Sequence, residues 1–221
     1  MQDGKEGTMK ITLLLDNLNS WMFPYAKTLL LKVRELGHKA VLIHDADKIK
    51  RGDLAFFLSC EKIIPKSIRD RNAHNLVVHE SDLPKGKGWS PLTWQILEGK
   101  NEIPITLFEA EDAVDSGDIY FQDMTHFGGS ELVDELRRVQ GEITIELALK
   151  FIEQYPNIRG KKQDGKETFY PRRRPEDSEL NPNLSLVKLF NQLRVADNER
   201  YPAFFKHRGK KYFLRIWKAE E

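Results

Sequence analysis

Short continuous apolar runs recur along the first two-thirds of the chain, and between them apolar residues return every three to four positions. Residues 10–16 (Lys-Ile-Thr-Leu-Leu-Leu-Asp) predict a strand buried on both faces of a parallel sheet. Pro24 then opens a helix with apolar positions at Ala26, Leu29, Leu30, Val33 and Leu36, and Gly37 closes it. Residues 38–44, 53–59 and 75–79 read as three further strands, with a short helix over 65–72 before the last. Residues 91–97 predict a helical turn or two ended by Gly99, and 103–109 and 117–123 two more strands. Ser130 is expected to cap a long helix with Leu132, Leu136, Val139, Ile143 and Leu147 on its apolar face, ending near Pro156. Residues 157–165 turn to Gly, Lys, Arg and Gln and read as an exposed linker. A helix over about 184–195 and a hairpin pairing 202–206 with 211–217 follow.

Strands alternating with helices imply an α/β fold: a Rossmann-like, mostly parallel sheet covered by helices, with a small C-terminal helix plus β-hairpin extension. The expected division is a disordered leader at 1–8, a catalytic core at 9–165 and the extension at 166–221. A chain of 221 residues can bury a core of that size.

Composition narrows the chemistry. Lys and Arg number 35 against 34 Asp and Glu, so no global basic field favours nucleic acid or an anionic membrane. A single cysteine, Cys60, excludes an intramolecular disulfide framework and a multi-thiolate metal site, and suits the cytoplasm. The apolar runs are too short for a membrane span, and the start lacks the apolar core of a signal peptide.

The candidate chemistry gathers where the strand over 75–79 delivers His79 into a loop of prolines, glycines and lysines, the end of a strand at which α/β sheets place ligands. A lone histidine is more often structural than catalytic. Asp115, in the turn Val-Asp-Ser-Gly-Asp, could orient an imidazole, and together the two form a base-plus-orienter pair. The turn after the first strand lacks the glycines of a dinucleotide site, and no nucleophile elbow is present. Lys85-Gly-Lys-Gly-Trp89 is either a mobile surface loop or a holder for a planar anion. Arg172, Arg173 and Arg174 suit a diphosphate or polyglutamate, or are simply solvated. No spacing of His, Cys and carboxylates supports a metal site.

Taken as an ordered set, His79-Glu-Ser81-Asp-Leu-Pro84, the loop to Ser-Pro91, Trp94-Gln-Ile-Leu-Glu-Gly99, Ile105-Thr-Leu-Phe108 and Val114-Asp-Ser-Gly-Asp-Ile119 resemble the formyltransferases that use N10-formyltetrahydrofolate. The resemblance covers roughly residues 10–154, and the loop string is most similar to enzymes that formylate 4-amino-4,6-dideoxy sugars on nucleotides. It implies catalytic roles for His79 and Asp115. It implies pterin contacts at Leu58, Ser59, Cys60, Ser81, Asp82, Leu83, Pro84, Glu111, Asp112, Ala113 and Val114, and nucleotide-sugar contacts at Asn17, Trp21, Lys85 and Trp89. The implied donor substrate is N10-formyltetrahydrofolate, the acceptor a UDP-linked amino sugar of surface glycan or nonulosonic acid synthesis, with no metal and no membrane, nucleic acid disfavoured as a partner, and a homodimer as an option.

One position departs from the family pattern. The family's Asn-x-His-x-Ser places its asparagine on Val77, which donates no hydrogen bond, and Asn75 lies about 7 Å further back along the strand. The other readings are a methionyl-tRNA formyltransferase, which shares the core, or another amine formyltransferase such as a purine-pathway enzyme, and, from a different class, a non-catalytic nucleotide-sugar or folate-binding module.

Overall fold

The computed structural model describes residues 7–219; residues 1–6 of the expected leader lie outside them. Ten strands and five α-helices follow one another in the chain: β1 (Lys10–Leu14), α1 (Phe23–Glu35), β2 (Lys39–Ile43), β3 (Gly52–Phe57), α2 (Lys66–Arg69), β4 (Asn72–His79), β5 (Lys87–Gly88), α3 (Pro91–Leu97), β6 (Glu102–Glu109), β7 (Ile119–His126), α4 (Val133–Gln154), β8 (Phe169–Tyr170), α5 (Leu186–Arg194), β9 (Ala203–His207) and β10 (Lys210–Leu214). Six strands form the main sheet in the order β2-β1-β3-β4-β6-β7. The four on one side are parallel, joined by the crossovers β1-α1-β2 and β3-α2-β4, whereas β6 runs antiparallel to β4 and β7 antiparallel to β6.

The sheet is covered on both faces. Leu13, Phe56, Leu76 and Leu107 pack against Ala26, Leu29 and Val33 of α1 and Ala148 and Phe151 of α4. On the opposite face Leu14, Ala55 and Phe57 meet Ile64 and Ile68, the latter on α2. This double burial explains the unbroken apolar runs of β1 and β3. Among the described residues no helix is long and apolar enough to cross a membrane.

Four local expectations change. The cap of α4 is Leu132 rather than Ser130, with the Glu135 carboxylate accepting the Leu132 amide at 2.8 Å. The most buried face of α4 runs through Leu136, Thr144, Leu147, Ala148 and Phe151, so Val139 and Ile143 sit at its flank. β7 starts at Ile119, because at Gly117 the chain passes the Glu109 carbonyl too closely for any Cβ. The residues read as an exposed linker are bonded to the core. Lys161 pairs with Ile119, and the Gln163 amide donates to the carbonyls of Asp115 and Gly117, both at 2.8 Å.

The C-terminal helix and hairpin are fastened to the core by a buried cation. Arg194 on α5 is fully buried and reaches Asn101 at 2.5 Å and Glu131 at 3.2 Å. Val195 joins Leu92, Ile96 and Leu136 in one apolar cluster. Further out, Arg137 on α4 binds Asp197 at 2.7 Å.

Candidate active site

His79 is the last residue of β4 and sits opposite Thr106. Its Nε2 lies 2.8 Å from the Gly86 carbonyl, which as an acceptor fixes the proton on that nitrogen. Among the described residues Nδ1 has no hydrogen-bond partner, so it is the basic nitrogen of the ring. Asp115 Oδ2 is 3.6 Å from Nε2 and accepts the Gly88 amide at 2.8 Å. The carboxylate is thus held beside the imidazole by the backbone of the loop, and the Gly86 carbonyl orients the ring more directly than Asp115 does.

That loop is tied down in turn. Gly88 pairs with Tyr170 in the small β5–β8 sheet, at φ +101° and with the Tyr170 carbonyl where a Cβ would stand. Gly86 donates its amide to Thr168 Oγ1 at 2.8 Å, and Lys87, 2% exposed, reaches Glu167 at 2.5 Å. Residues 161–170 therefore strap both the His79 loop and the Asp115 turn.

A cavity of about 420 Å³ opens at His79 and extends to both faces of the sheet. On the side of α2 it is lined by the apolar Phe57, Leu58, Val77, Phe108, Ala113 and Val114, with Ser59, Cys60, Arg69 and Glu111 beside them. Arg69 braces this wall: its guanidinium donates to the Ile64 carbonyl at 3.1 Å and the Ala110 carbonyl at 2.7 Å and also binds Asp112. A slot of this shape and chemistry fits a flat bicyclic heterocycle with an apolar body and backbone groups at its edge. Towards α4 the lining turns polar, with Ser20, Trp21, Glu80, Arg137, Gln140 and Thr144. Arg172, Arg173 and Arg200 line the exposed rim, where Glu61 takes Arg172 at 3.4 Å and Arg200 at 3.9 Å.

Three of the four non-glycine residues with positive φ line this cavity: Ser59 at +50°, Ser90 at +51° and Asp115 at +49°. Strain of this kind is kept where surrounding structure enforces it. Burial pushes the Cys60 thiol up to about 12, which keeps it protonated and removes it as a nucleophile.

The candidates from the sequence divide by place. Leu58, Ser59, Cys60, Glu111, Ala113 and Val114 line the cavity with His79 and Asp115, as do Trp21 and Trp89. Asp112 turns to Arg69. Ser81, Asp82, Leu83 and Pro84 stand behind the wall: the Ser81 carbonyl accepts Thr106 Oγ1 at 2.7 Å, and Asp82 accepts from Gln122 at 3.2 Å. Lys85 lies out in solvent beside Asp82 at 3.4 Å, and Asn17 donates to Glu61 at 2.9 Å. Asn75 does not replace the asparagine absent at Val77, since its amide donates to the Arg69 carbonyl and no bulge brings it forward.

Sequence reasoning passed over Glu80, Gln140 and Arg69. A signal for Gln140 was available: with Thr144, one turn on, it interrupts the apolar face of α4, and a polar pair in such a stripe faces a cavity or a partner. Arg69 sits in a short basic segment that reads as surface.

Curated relatives matched at 26–28% identity include methionyl-tRNA formyltransferases of several bacteria, and the chain spans about half the length of the curated relatives it matches. Among solved structures, a methionyl-tRNA formyltransferase from Clostridium thermocellum superposes with TM-score 0.82 at 24% identity, over 96% of this chain and 94% of that one. HypX from Aquifex aeolicus in complex with tetrahydrofolic acid gives 0.76 at 20%, over 95% and 38%. A 4-N formyltransferase from Francisella tularensis gives 0.69 at 18%, over 96% and 99%. At these identities the structural likeness establishes the fold. The family assignment comes from a sequence match to the formyl transferase model over residues 26–142, a span running from α1 into α4 and containing His79, Glu80 and Asp115. Since that match takes in more than half of the residues, this chain belongs to the formyl transferase family.

Proposed function

We propose that this chain transfers a formyl group from N10-formyltetrahydrofolate to the amine of a nucleotide-linked amino sugar, in the cytoplasm, with a UDP-linked 4-amino-4,6-dideoxy sugar as acceptor. The observation that carries the reading is His79 with Asp115 3.6 Å away, standing where an apolar slot meets a polar chamber in one cavity. The slot beside Leu58–Cys60 and Ala113–Val114 would hold the pterin, and the bound donor supplies the formyl carbon. His79 Nδ1 is the base that removes a proton from the attacking amine, and Asp115 stabilises the imidazolium that results. With valine at 77, no β4 side chain on this wall other than His79 can donate to the formyl oxygen, so the protonated ring also serves the negative charge that develops there. Arg172, Arg173 and Arg200 at the rim suit a diphosphate.

A second reading, methionyl-tRNA as acceptor, draws support from the curated relatives and from the Clostridium thermocellum structure, which this chain matches over 94% of that structure's length. One assay separates the two. Protein near stoichiometric with N10-formyltetrahydrofolate is offered UDP-, dTDP- and GDP-linked 4-amino-4,6-dideoxy sugars and methionyl-tRNA, and formylated product is followed over a single turnover. Transfer to an amino sugar and not to the tRNA is expected, and His79→Ala should slow it about 10²–10⁴-fold. No transfer to any acceptor would remove the catalytic reading in favour of a binding module. A full rate in His79→Ala would remove His79 from the mechanism.

A further inference from the structure

Glu80 stands beside the site in an unusual state. It follows His79 directly, one residue past the end of β4, and its carboxyl reaches Gln140 of α4 in the polar chamber. The residue is only 7% exposed. Its carboxyl accepts one hydrogen bond from another side chain, Gln140 Nε2 to Oε1 at 2.5 Å, and among the described residues it forms no ion pair. The cations that face this chamber are otherwise placed: Arg137 is held by Asp197 at 2.7 Å, and the imidazole of His79 is turned to the Gly86 carbonyl. The neighbouring hydroxyl of Thr144 donates to the Gln140 carbonyl of its own helix at 2.7 Å. Burial pushes the Glu80 carboxyl above the ordinary glutamate range, against the pull of His79 and Gln140.

A buried carboxylate without a counter-ion is costly unless something brings a cation to it. A purely structural role does not need the charge, since glutamine at 80 would keep a hydrogen bond to Gln140 and leave the Glu80 carbonyl free for Gln95, which donates to it at 2.6 Å. What the chamber offers is an acceptor site for a primary ammonium at the Glu80 carboxyl; the indole of Trp21 nearby is already faced by the Arg137 guanidinium at 5.9 Å.

Resting on the formyl-transfer reading above, we infer that Glu80 is the group that binds the acceptor's ammonium and takes its first proton. The step balances without a further reagent. One N–H bond of the R–NH3+ group breaks, the electron pair stays on nitrogen as the nucleophilic lone pair, and the proton forms an O–H bond on Glu80. The neutral amine then lies between Glu80 and His79, and the second proton, released on attack, goes to His79. The two neighbouring residues thus act on the same nitrogen in turn.

The test uses wild type, Glu80→Gln and Glu80→Asp in the single-turnover assay, with KM values from steady-state kinetics. Each is also given the nucleotide sugar bearing a hydroxyl in place of the 4-amine, as a competitor. Wild type is expected to prefer the amine to the hydroxyl form. Glu80→Gln should transfer formyl at least about tenfold more slowly and lose that preference, with KM for N10-formyltetrahydrofolate unchanged. Should Glu80→Gln not fold, Glu80→Asp decides: the charge is retained but withdrawn by one methylene, so KM for the amine is expected to rise while the amine preference persists. A Glu80→Gln protein with wild-type rate and preference, or a Glu80→Asp protein with unchanged KM, overturns the assignment and leaves the transferase reading standing. Wild type that formylates no acceptor overturns both.

Discussion

His79 and Glu80 are adjacent in sequence yet serve different walls: His79, the last residue of β4, is bonded to the Gly86 carbonyl, whereas Glu80, just past the strand, is bonded to Gln140 of α4. His79 is kept close to the Asp115 carboxylate by backbone bonds to Gly86 and Gly88, so the loop around the ring matters as much as the ring. Glu80 is the opposite case, an acid with little of its charge compensated. Its carboxyl is raised in the folded state by burial first, so the unfolded chain ionises more readily and the ionised residue opposes folding. Glu80→Gln is therefore expected to raise the melting temperature at neutral pH. The gain should shrink as pH falls and vanish below about 4.3, the ordinary glutamate value, where both states are protonated. Thermal melts of the two proteins across pH check this, and a gain independent of pH would remove the buried charge as its cause.

At the scale of elements, the site depends on the strap over residues 161–170. Gln163 holds two carbonyls of the Asp115 turn, Thr168 holds the Gly86 amide, and Tyr170 pairs with Gly88. Gln163→Ala leaves two carbonyls without their donor, a loss of about 1–3 kcal/mol. Hydrogen exchange at residues 113–118 should quicken and formyl transfer should slow, while exchange in β1 and β3 stays slow. Uniform exchange across the chain, before and after the change, would deny the strap its role. Much of the element order was legible: β1, α1, β2, β3 and the hairpin lie within a few residues of where their periodicity places them. The strap was not, because its residues are polar and short-runned, and their partners lie more than forty positions away. The antiparallel turn of β6 was also invisible, since an apolar run carries no sign of strand direction.

Across the whole molecule, net charge is +1, so attraction of an anionic acceptor depends on local arrangement. Three arginines reach the cavity rim, two from the segment after β8 and one from the loop after α5, while Glu61 partly offsets Arg172 and Arg200. Arg173, half-buried, stacks on Trp94 at 5.8 Å, and burial lowers its guanidinium from the ordinary arginine range. Arg172 is exposed and, among the described residues, held only by Glu61 at 3.4 Å. Arg172→Ala is expected to raise KM for a diphosphate-linked acceptor a few-fold at low salt, with little change in kcat and a smaller effect as salt screens the pair. Steady-state kinetics at two ionic strengths measure it, and a salt-independent KM would place the diphosphate elsewhere.

The sequence by itself determined the α/β class, the position of His79 at a strand end and the pairing of that histidine with Asp115 as a hypothesis, because apolar period and turn chemistry are local properties. Its motif string also pointed to the family. Only the tertiary structure decided which candidates share a cavity. Ser81–Pro84 lie in the same stretch as His79 but behind its wall, whereas Arg172 and Arg200, far along the chain, come to its rim. The asparagine question was settled in the same way: Asn75 is fixed to the Arg69 carbonyl two residues behind Val77, out of reach of the site. The charge state of Glu80 likewise follows from what surrounds it, since desolvation and the lack of a counter-ion are set by α4 and the sheet and leave no trace in the order of residues.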